Sequence, residues 1–512
     1  MPRSPMTVTL KLSGVTAADV IAVARQEERV EVSRDVRAEL ESVRAHIDDL
    51  AHGDTPVYGI STGFGALADT AIPPERRAQL QRSLIRSHAA GTGPEVEREV
   101  VRAMMFLRAR TLASGYTGVR PVVLDTMVML LNAGITPIVH EYGSLGCSGD
   151  LAPLSHAALV LMGEGRARDR LGEERPVLDL LAEANIAPIE LAEKEGLALI
   201  NGTDGMLGML VLALADLDVL AKVADLSTSL TVQALRGRDT VFSPELHGPL
   251  RPHPGQVASA ANIFSLLAGS GIVADVMAEG SRVQDAYSIR CAPQVAGGVR
   301  DTIAHARTVA DRELASAIDN PVVLRDGRVT SNGNFHGAPV AYVLDFLAIV
   351  AADLASIAER RTDRMLDKSR SHGLPPFLAD DPGVDSGVMI AQYTQAGLVA
   401  EMKRLAVPAS ADSIPSSAMQ EDHVSLGWHA ARKLRTSVDN LRRVLAIELL
   451  AAARAIDMRA PLQPSEPAQR VIKVLREHVE GPGPDRFLAP AIEVAVHLLQ
   501  SGELLAAAGD LH

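Results

Sequence analysis

The 512-residue sequence is poor in aromatic residues, nearly free of cysteine and without an excess of positive charge. Phe, Trp and Tyr together make up 3% of it, whereas apolar residues of all kinds reach 47%. Such an aliphatic composition, rich in Ala and Leu, favours long packed helices. The net charge of −13 argues against a nucleic-acid partner, since such proteins carry a basic stripe. Two cysteines, Cys147 and Cys291, give no disulfide framework and predict a reducing, cytoplasmic environment.

Targeting, membrane and metal signals are also missing from the sequence. The first residues have no apolar stretch behind them, so we expect no signal peptide. The most apolar run, 207–226, is interrupted by Asp216 and Asp218, which favours a buried helix over a membrane span. His247 and His253 lie in a Pro- and Gly-rich loop without Cys or Glu at metal-ligand spacing, so we predict no metal.

Helical periodicity is the main pattern that is present. Residues 80–88 and 205–235 are predicted as helices from their apolar spacing. From Val343 onward, apolar residues recur every three or four positions, at Phe346, Leu347, Val350, Leu354 and Ile357. These segments predict a mainly α fold.

The stretch 142–156, Tyr-Gly-Ser-Leu-Gly-Cys-Ser-Gly-Asp-Leu-Ala-Pro-Leu-Ser-His, is able to make an electrophile from backbone atoms. Gly149 has no Cβ, so its amide nitrogen can approach the carbonyl carbon of Cys147 in a tight turn. Attack there closes a five-membered ring, and loss of water from the ring and from Ser148 leaves a methylidene-imidazolone (MIO). Asp150 and Pro153 are typical of a helix start, with Asp150 as cap or first-turn acid. A bare Ser-Gly step is far more often an ordinary turn, so the flanking residues decide between a turn and a ring-forming loop.

Those fifteen residues closely resemble the signature of the aromatic amino acid ammonia-lyases, the MIO enzymes, in which Ala is usual where Cys147 stands. That residue gives only its backbone carbonyl to the ring, so its side chain is expected to be dispensable. Similar segments follow in family order through 408–425. The resemblance implies a mainly α, ammonia-lyase/fumarase-like fold, with an N-terminal domain (1–204) holding the MIO ring and a long central helical bundle (205–512). It also implies a homotetramer with shared active sites and no external cofactor.

The resemblance carries catalytic roles onto five residues. Tyr58, in the Gly-rich segment 57–65, matches the family's proposed base. Asn201 matches a residue near the ring and the substrate amine. Gln284, Tyr287 and Arg290 match residues of the site. Arg290 is the expected carboxylate clamp, because a guanidinium binds a carboxylate bidentately.

Substrate choice rests on three further positions. His88, in the pair Ser87-His88, matches the family's selectivity position for the substrate ring, and Phe335 would pack near the MIO ring. The Gln-Glu-Asp-His-Val-Ser run around Glu421 resembles that of members acting on histidine. The resemblance therefore implies conversion of L-histidine to trans-urocanate and ammonia, with His88 and Glu421 bonded to the imidazole.

Two other interpretations stay open. A tyrosine ammonia-lyase or a 2,3-aminomutase would share this fold; His88 allows both, whereas Glu421 argues against them. A catalytically silent helical scaffold is a different class of protein. The intact Tyr58, Ser148 and Arg290 argue against it.

Overall fold

The computed structural model of the chain describes residues 7–52, 60–63, 70–279 and 283–512. The mainly α prediction is confirmed, because the strands found there have only two to four residues. The predicted helices at 80–88 and 205–235 are observed as Arg77–His88 and Asp204–Ala234. Tyr58 lies outside the described residues, as does most of its Gly-rich segment.

The helices and strands follow one another along the chain with few long connections. The helices are α1 (Ala17–Arg25), α2 (Arg34–His52), α3 (Arg77–His88), α4 (Arg98–Ala113), α5 (Pro121–Ala133), α6 (Leu151–Leu161), α7 (Val177–Glu183), α8 (Glu195–Ile200), α9 (Asp204–Ala234), α10 (Pro244–His247), α11 (Pro254–Leu267), α12 (Gly271–Glu279), α13 (Tyr287–Arg290), α14 (Ala292–Ala315), α15 (Ala338–Leu366), α16 (Met389–Leu405), α17 (Gly427–Asp457), α18 (Glu466–Arg476), α19 (Ala489–Ser501) and α20 (Glu503–Ala508). The strands are β1 (Thr7–Leu10), β2 (Arg29–Val32), β3 (Thr92–Glu95), β4 (Thr136–Pro137), β5 (His140–Tyr142), β6 (Ala167–Arg168), β7 (Glu174–Arg175), β8 (Val322–Val323) and β9 (Val329–Thr330). Short 3-10 helices cover Pro74–Arg76, Thr240–Phe242, Pro376–Leu378 and Ser417–Met419.

The short strands form local pairs. β1 runs parallel to β2, with Thr7 opposite Arg29, and the other pairs are antiparallel. β4, β6 and β7 make a three-stranded sheet, whereas β3 pairs with β5 and β8 with β9. The strand β5 ends at Tyr142, directly before the candidate ring loop.

Two compact units make up the fold, and each draws on three separate parts of the chain. The first contains Met1–Leu212, Arg307–Asp345 and Pro408–Arg432; the second contains Ala213–Ala306, Phe346–Val407 and Lys433–His512. A division into 1–204 and 205–512 stays a prediction. The ring loop and the Glu421 segment therefore belong to one unit although they are far apart in sequence.

Buried arginines hold the core of the first unit together. Helix α4 is buried along almost its whole length and includes Arg102, which is 1% exposed. The Arg102 guanidinium donates to the carbonyl oxygen of Val23 at 2.9 and 3.1 Å and to that of Leu131 at 3.1 Å. Burial lowers the pKa of Arg102 to about 10, so it stays charged at neutral pH. Its donors thus bind carbonyl groups in the last turns of α1 and α5 and join both helices to α4.

A bidentate ion pair holds three helices of the second unit. Glu448 of α17 accepts from Arg361 Nε at 2.5 Å and Nη2 at 2.9 Å, and from Thr231 Oγ1 at 2.9 Å. All three side chains are nearly inaccessible to solvent. The carboxylate therefore ties α9, α15 and α17 to one point, because a buried charge requires this full set of donors.

Among the described residues, one helix, α15, is by itself long and apolar enough to cross a membrane. Its most apolar window is 61% buried inside the protein, which is typical of a core helix. The bent pair α11 and α12 passes the same test only when its two helices are taken together.

Candidate active site

The loop between β5 and α6 depends on glycine for its conformation. Gly146 and Gly149 have φ values of +68° and +78°, in the left-handed region. A Cβ on Gly149 would lie 2.0 Å from the carbonyl oxygen of Gly202. The next residue, Asp150, donates its N–H to that same oxygen at 2.7 Å. The loop is thus pressed against the turn at Gly202 in a way that only glycine permits at position 149.

The backbone at 147–149 fits the formation of the ring. The amide nitrogen of Gly149 donates no hydrogen bond within the described part of the chain. Ser144 Oγ accepts from the Gly146 N–H at 3.2 Å and donates to Asp150 Oδ1 at 2.9 Å, which holds the loop from both sides. A tight glycine turn with a free amide nitrogen is what attack on a neighbouring carbonyl requires.

Asp150 caps a different helix from the one that it precedes. It stands at the N-cap of α6 but makes no side-chain cap bond there. Its Oδ2 accepts instead from the N–H groups of Gly205 and Met206, each at 2.9 Å, at the start of α9. The helix therefore starts where the sequence predicts, with Asp150 at its N-cap position, but the side chain makes no cap bond with α6. The carboxylate turns to the free amides of a second helix, which also favour its negative charge.

Burial dominates the electrostatics of Asp150. The side chain is inaccessible to solvent, and burial raises its pKa to about 7. The hydrogen bonds from Met206, Ser144 and Gly205 lower this pKa, and the negative charge of Asp204 raises it. A carboxyl group that titrates near neutrality therefore lies directly beside the ring loop.

Glu421 contacts two of the three ring residues. Ser148 Oγ donates to Glu421 Oε1 at 3.0 Å, and Cys147 Sγ donates to Oε2 at 3.1 Å. Ser416 Oγ donates to the same Oε2 at 2.9 Å. The sequence predicts that the Cys147 side chain is dispensable, but in the structure its thiol contacts Glu421, which the sequence did not indicate.

The segment that carries Glu421 lies along the ring loop. Leu426 donates its N–H to Leu145 O at 2.9 Å, and Ser425 Oγ donates to Gly146 O at 2.8 Å. Cys147 also packs in an apolar cluster with Val424 and Leu426. These contacts keep the carboxylate at the loop, because they anchor the chain a few residues beyond it.

His88 ends helix α3 and is neutral at pH 7. Its Nδ1 lies 2.9 Å from Leu84 O. A carbonyl oxygen only accepts, so the ring proton is on Nδ1 and Nε2 is an acceptor. Burial lowers the pKa of His88, while the Leu84 bond and the charge of Glu421 act in the opposite direction.

Asn201 and Phe335 belong to turns that meet the ring loop. Asn201 is 3% exposed, and its Oδ1 has no hydrogen-bond partner among the described residues. An unsatisfied buried amide oxygen is unfavourable unless a ligand supplies a donor. Phe335 is half-buried, and two residues later Gly337 donates its N–H to Gly146 O at 3.4 Å.

The remaining site residues that the sequence predicts, Gln284, Tyr287 and Arg290, all belong to the second unit. The Arg290 guanidinium lies over the ring of Tyr287, 4.5 Å from its centroid, and Arg290 Nε donates to Asp285 O at 3.0 Å. Tyr287 is 71% exposed, and Gln284 is exposed as well. An arginine that is half-buried and stacked on an aromatic ring keeps donors available for a carboxylate.

Sequence reasoning missed Arg108, whose guanidinium binds the chain around Asn201, next to the turn against which the ring loop packs. Its Nη1 donates to Ala198 O at 3.0 Å and Asn201 O at 3.1 Å. Its Nη2 donates to Ile318 O at 3.0 Å and lies 2.9 Å from Asp204 Oδ2. An arginine inside an apolar helix is the signal that could have found it, because a buried guanidinium needs several acceptors.

The residues of the ring loop can be compared with the needs of a metal ion and of an MIO group. Within the described residues, no group of three or more His, Cys, Asp or Glu side chains could hold a metal ion. Cys147 and Cys291 are free thiols. The residues at 147–149 fit a self-generated MIO group, because of the glycine conformation and the free amide nitrogen described above.

Comparison with known proteins agrees with this site. The family model for aromatic amino acid lyases matches residues 15–477. Histidine ammonia-lyases from Streptomyces avermitilis and Streptomyces coelicolor are 68% and 67% identical to the chain, each over 98% of both sequences. A tyrosine aminomutase structure from Streptomyces globisporus superposes with a TM-score of 0.92 at 39% identity, covering 98% of both chains. A histidine ammonia-lyase structure from Trypanosoma cruzi gives 0.90 at 38% identity, covering 98% of this chain and 95% of that one.

Proposed function

This chain is an enzyme of the aromatic amino acid lyase family, and on that premise we propose that it is a histidine ammonia-lyase, which converts L-histidine to trans-urocanate and ammonia. The observation that carries the proposal is the Glu421 carboxylate, hydrogen-bonded to both Cys147 and Ser148. It stands beside the residues that would form the electrophile. The two Streptomyces relatives are also named for histidine.

Glu421 and His88 support histidine over a phenyl-bearing substrate. A neutral imidazole ring carries one N–H group, which either the Glu421 carboxylate or the Nε2 acceptor of His88 can accept, and its second nitrogen is an acceptor. A phenyl ring offers no donor, so its binding would shield the Glu421 charge from water and leave one of the two carboxylate oxygens without a donor. Sites built to hydrogen-bond a substrate reject analogues that lack the group by up to about 10⁴–10⁵.

The electrophile is proposed to form from this chain alone. Gly149 N bonds to the carbonyl carbon of Cys147, whose oxygen leaves as water with the amide protons of Ser148 and Gly149. The Ser148 hydroxyl leaves with its α-proton as a second water. The resulting MIO group supplies an electrophilic methylidene carbon that makes the substrate nitrogen a better leaving group. The mass of the chain should fall by two waters, about 36 Da.

The remaining roles follow the chemistry of the side chains. Arg290 holds the substrate carboxylate, assisted by Gln284 and Tyr287, and Asn201 receives the amine at its unpaired Oδ1. Tyr58 takes the β-proton as general base. We further propose a homotetramer with shared active sites, in the cytoplasm. The two free thiols support the cytoplasm as the compartment, because it is reducing.

The test is turnover of L-histidine by the purified enzyme, followed by urocanate absorbance, with L-tyrosine and L-phenylalanine as competing substrates. Glu421→Gln keeps the shape but removes the charge, so kcat/KM for histidine should fall by at least about 10². Asp422→Asn, at the exposed neighbouring carboxylate, is the matched control and should keep wild-type values. Preference of the wild type for tyrosine would overturn the histidine proposal but leave the family assignment intact.

A further inference from the structure

The two oxygens of Glu421 have different donors. Oε1 accepts from Ser148 Oγ at 3.0 Å, whereas Oε2 accepts from Cys147 Sγ at 3.1 Å and Ser416 Oγ at 2.9 Å. The Ser148 hydroxyl is the group that leaves as water in the proposed ring formation. The donors to Oε2 remain, because the side chains of Cys147 and Ser416 take no part in that chemistry.

We infer that Cys147 is a positioning residue: its thiol, with Ser416, holds Glu421 Oε2 and so leaves Oε1 free for the substrate ring. This inference rests on the proposed function, since it concerns recognition of an N–H-bearing ring by Glu421. It gives a role to the side chain of Cys147, a residue that contributes only its backbone carbonyl carbon to the electrophile. The rotamer of a glutamate is otherwise free to move, and fixing it lowers the entropy lost on binding.

The thiol is suited to donate at neutral pH. Cys147 is only 7% exposed, and burial, together with the charge of Glu421, raises its pKa to about 12. The group therefore remains S–H beside a carboxylate, where a thiolate would repel it. Alanine would leave Oε2 with Ser416 alone, whereas serine would replace the thiol by a stronger O–H donor.

A simpler role for Cys147 is apolar packing, since it contacts Val424 and Leu426. The two roles predict opposite orders among variants. If the thiol acts as a donor, Cys147→Ser should resemble the wild type and Cys147→Ala should be impaired. If it acts only by packing, Cys147→Ala should be the milder change, because serine is small and polar.

The experiment measures histidine binding without turnover. Ser148→Ala cannot form the electrophile and removes the donor to Oε1, so the Kd of L-histidine is read directly by calorimetry on the full chain. Adding Cys147→Ala should raise this Kd about three- to ten-fold, the range for one ordinary hydrogen bond, because a thiol is a weak donor. Adding Cys147→Ser should keep it within about two-fold. L-Phenylalanine, which has no ring N–H, should bind equally to all three.

In the ring-bearing enzyme, Cys147→Ala should still lose two waters by mass spectrometry, with a raised KM and little change in kcat. Two results in the Ser148→Ala background would overturn the inference. One is an unchanged histidine Kd when Cys147→Ala is added, and the other is weaker binding with Cys147→Ser than with Cys147→Ala. Failure of the proposed function would show differently, as absence of urocanate from the wild type, so the two failures are distinguishable.

Discussion

Replacing Gly149 by alanine tests whether the shape of the loop is required for the ring. The added Cβ would lie 2.0 Å from the carbonyl oxygen of Gly202 and 2.6 Å from its nitrogen. Ordinary contact begins at 3.4 Å, so the loop and the Gly202 turn must separate by about 1.4 Å. The obstacle is backbone, which cannot rotate away as a long side chain can.

The expected destabilisation has three sources. Alanine at a φ of +78° is unfavourable by about 1–2 kcal/mol. Overpacking against Gly202 adds about 1–3 kcal/mol. Separation breaks the 2.7 Å bond from Asp150 N–H to Gly202 O, which contributes about 1 kcal/mol. Together they predict a loss of about 3–6 kcal/mol of unfolding free energy, and a loop in which Gly149 N no longer reaches its target.

Gly172→Ala separates these sources, because Gly172 has a φ of +87° with nothing within 4 Å of the added Cβ. It should lose only the about 1–2 kcal/mol of backbone strain and keep its activity. Urea unfolding measures the stabilities, and mass spectrometry measures the loss of two waters. A Gly149→Ala protein that loses both waters and is no less stable than Gly172→Ala would refute the argument.

Two further predictions concern the buried charges around the loop. The pKa of Asp150 is raised to about 7 in the folded protein, above its value of about 4 in the unfolded chain. Between these two pH values the folded protein keeps a proton that the unfolded chain releases. The free energy of unfolding should therefore fall as pH rises from about 4 to about 7. Asp150→Asn should remove that part of the slope in urea unfolding across this pH range, and an unchanged slope would contradict it. Arg108→Met leaves the Asp204 charge buried and unpaired and should lower the unfolding free energy by about 3–5 kcal/mol. The control is Arg82→Met, which removes an exposed ion pair and should change the unfolding free energy by less than about 1 kcal/mol. Equal Tm values for the two variants would contradict the expected contribution of the buried pair.

Much of this site could be predicted from the sequence, because its chemistry is local. The proposed ring closure involves three consecutive residues, and the need for glycine at 149 follows from the approach of one backbone atom to another. Helices such as α9 and α15 could equally be predicted from the sequence, since apolar spacing reflects the face that must be buried. The roles of Tyr58, Gln284, Tyr287 and Arg290 came from family resemblance and stay predictions.

The tertiary structure alone decided which side chains meet. Glu421 and Ser148 are 273 positions apart, and no periodic pattern connects them. The sequence predicted a helix start at Asp150, but packing turned its carboxylate to the amides of α9 rather than those of α6. The thiol of Cys147 gained a partner in the same way. Local sequence determines backbone conformation, whereas the partner of a side chain depends on which distant segment is packed against it.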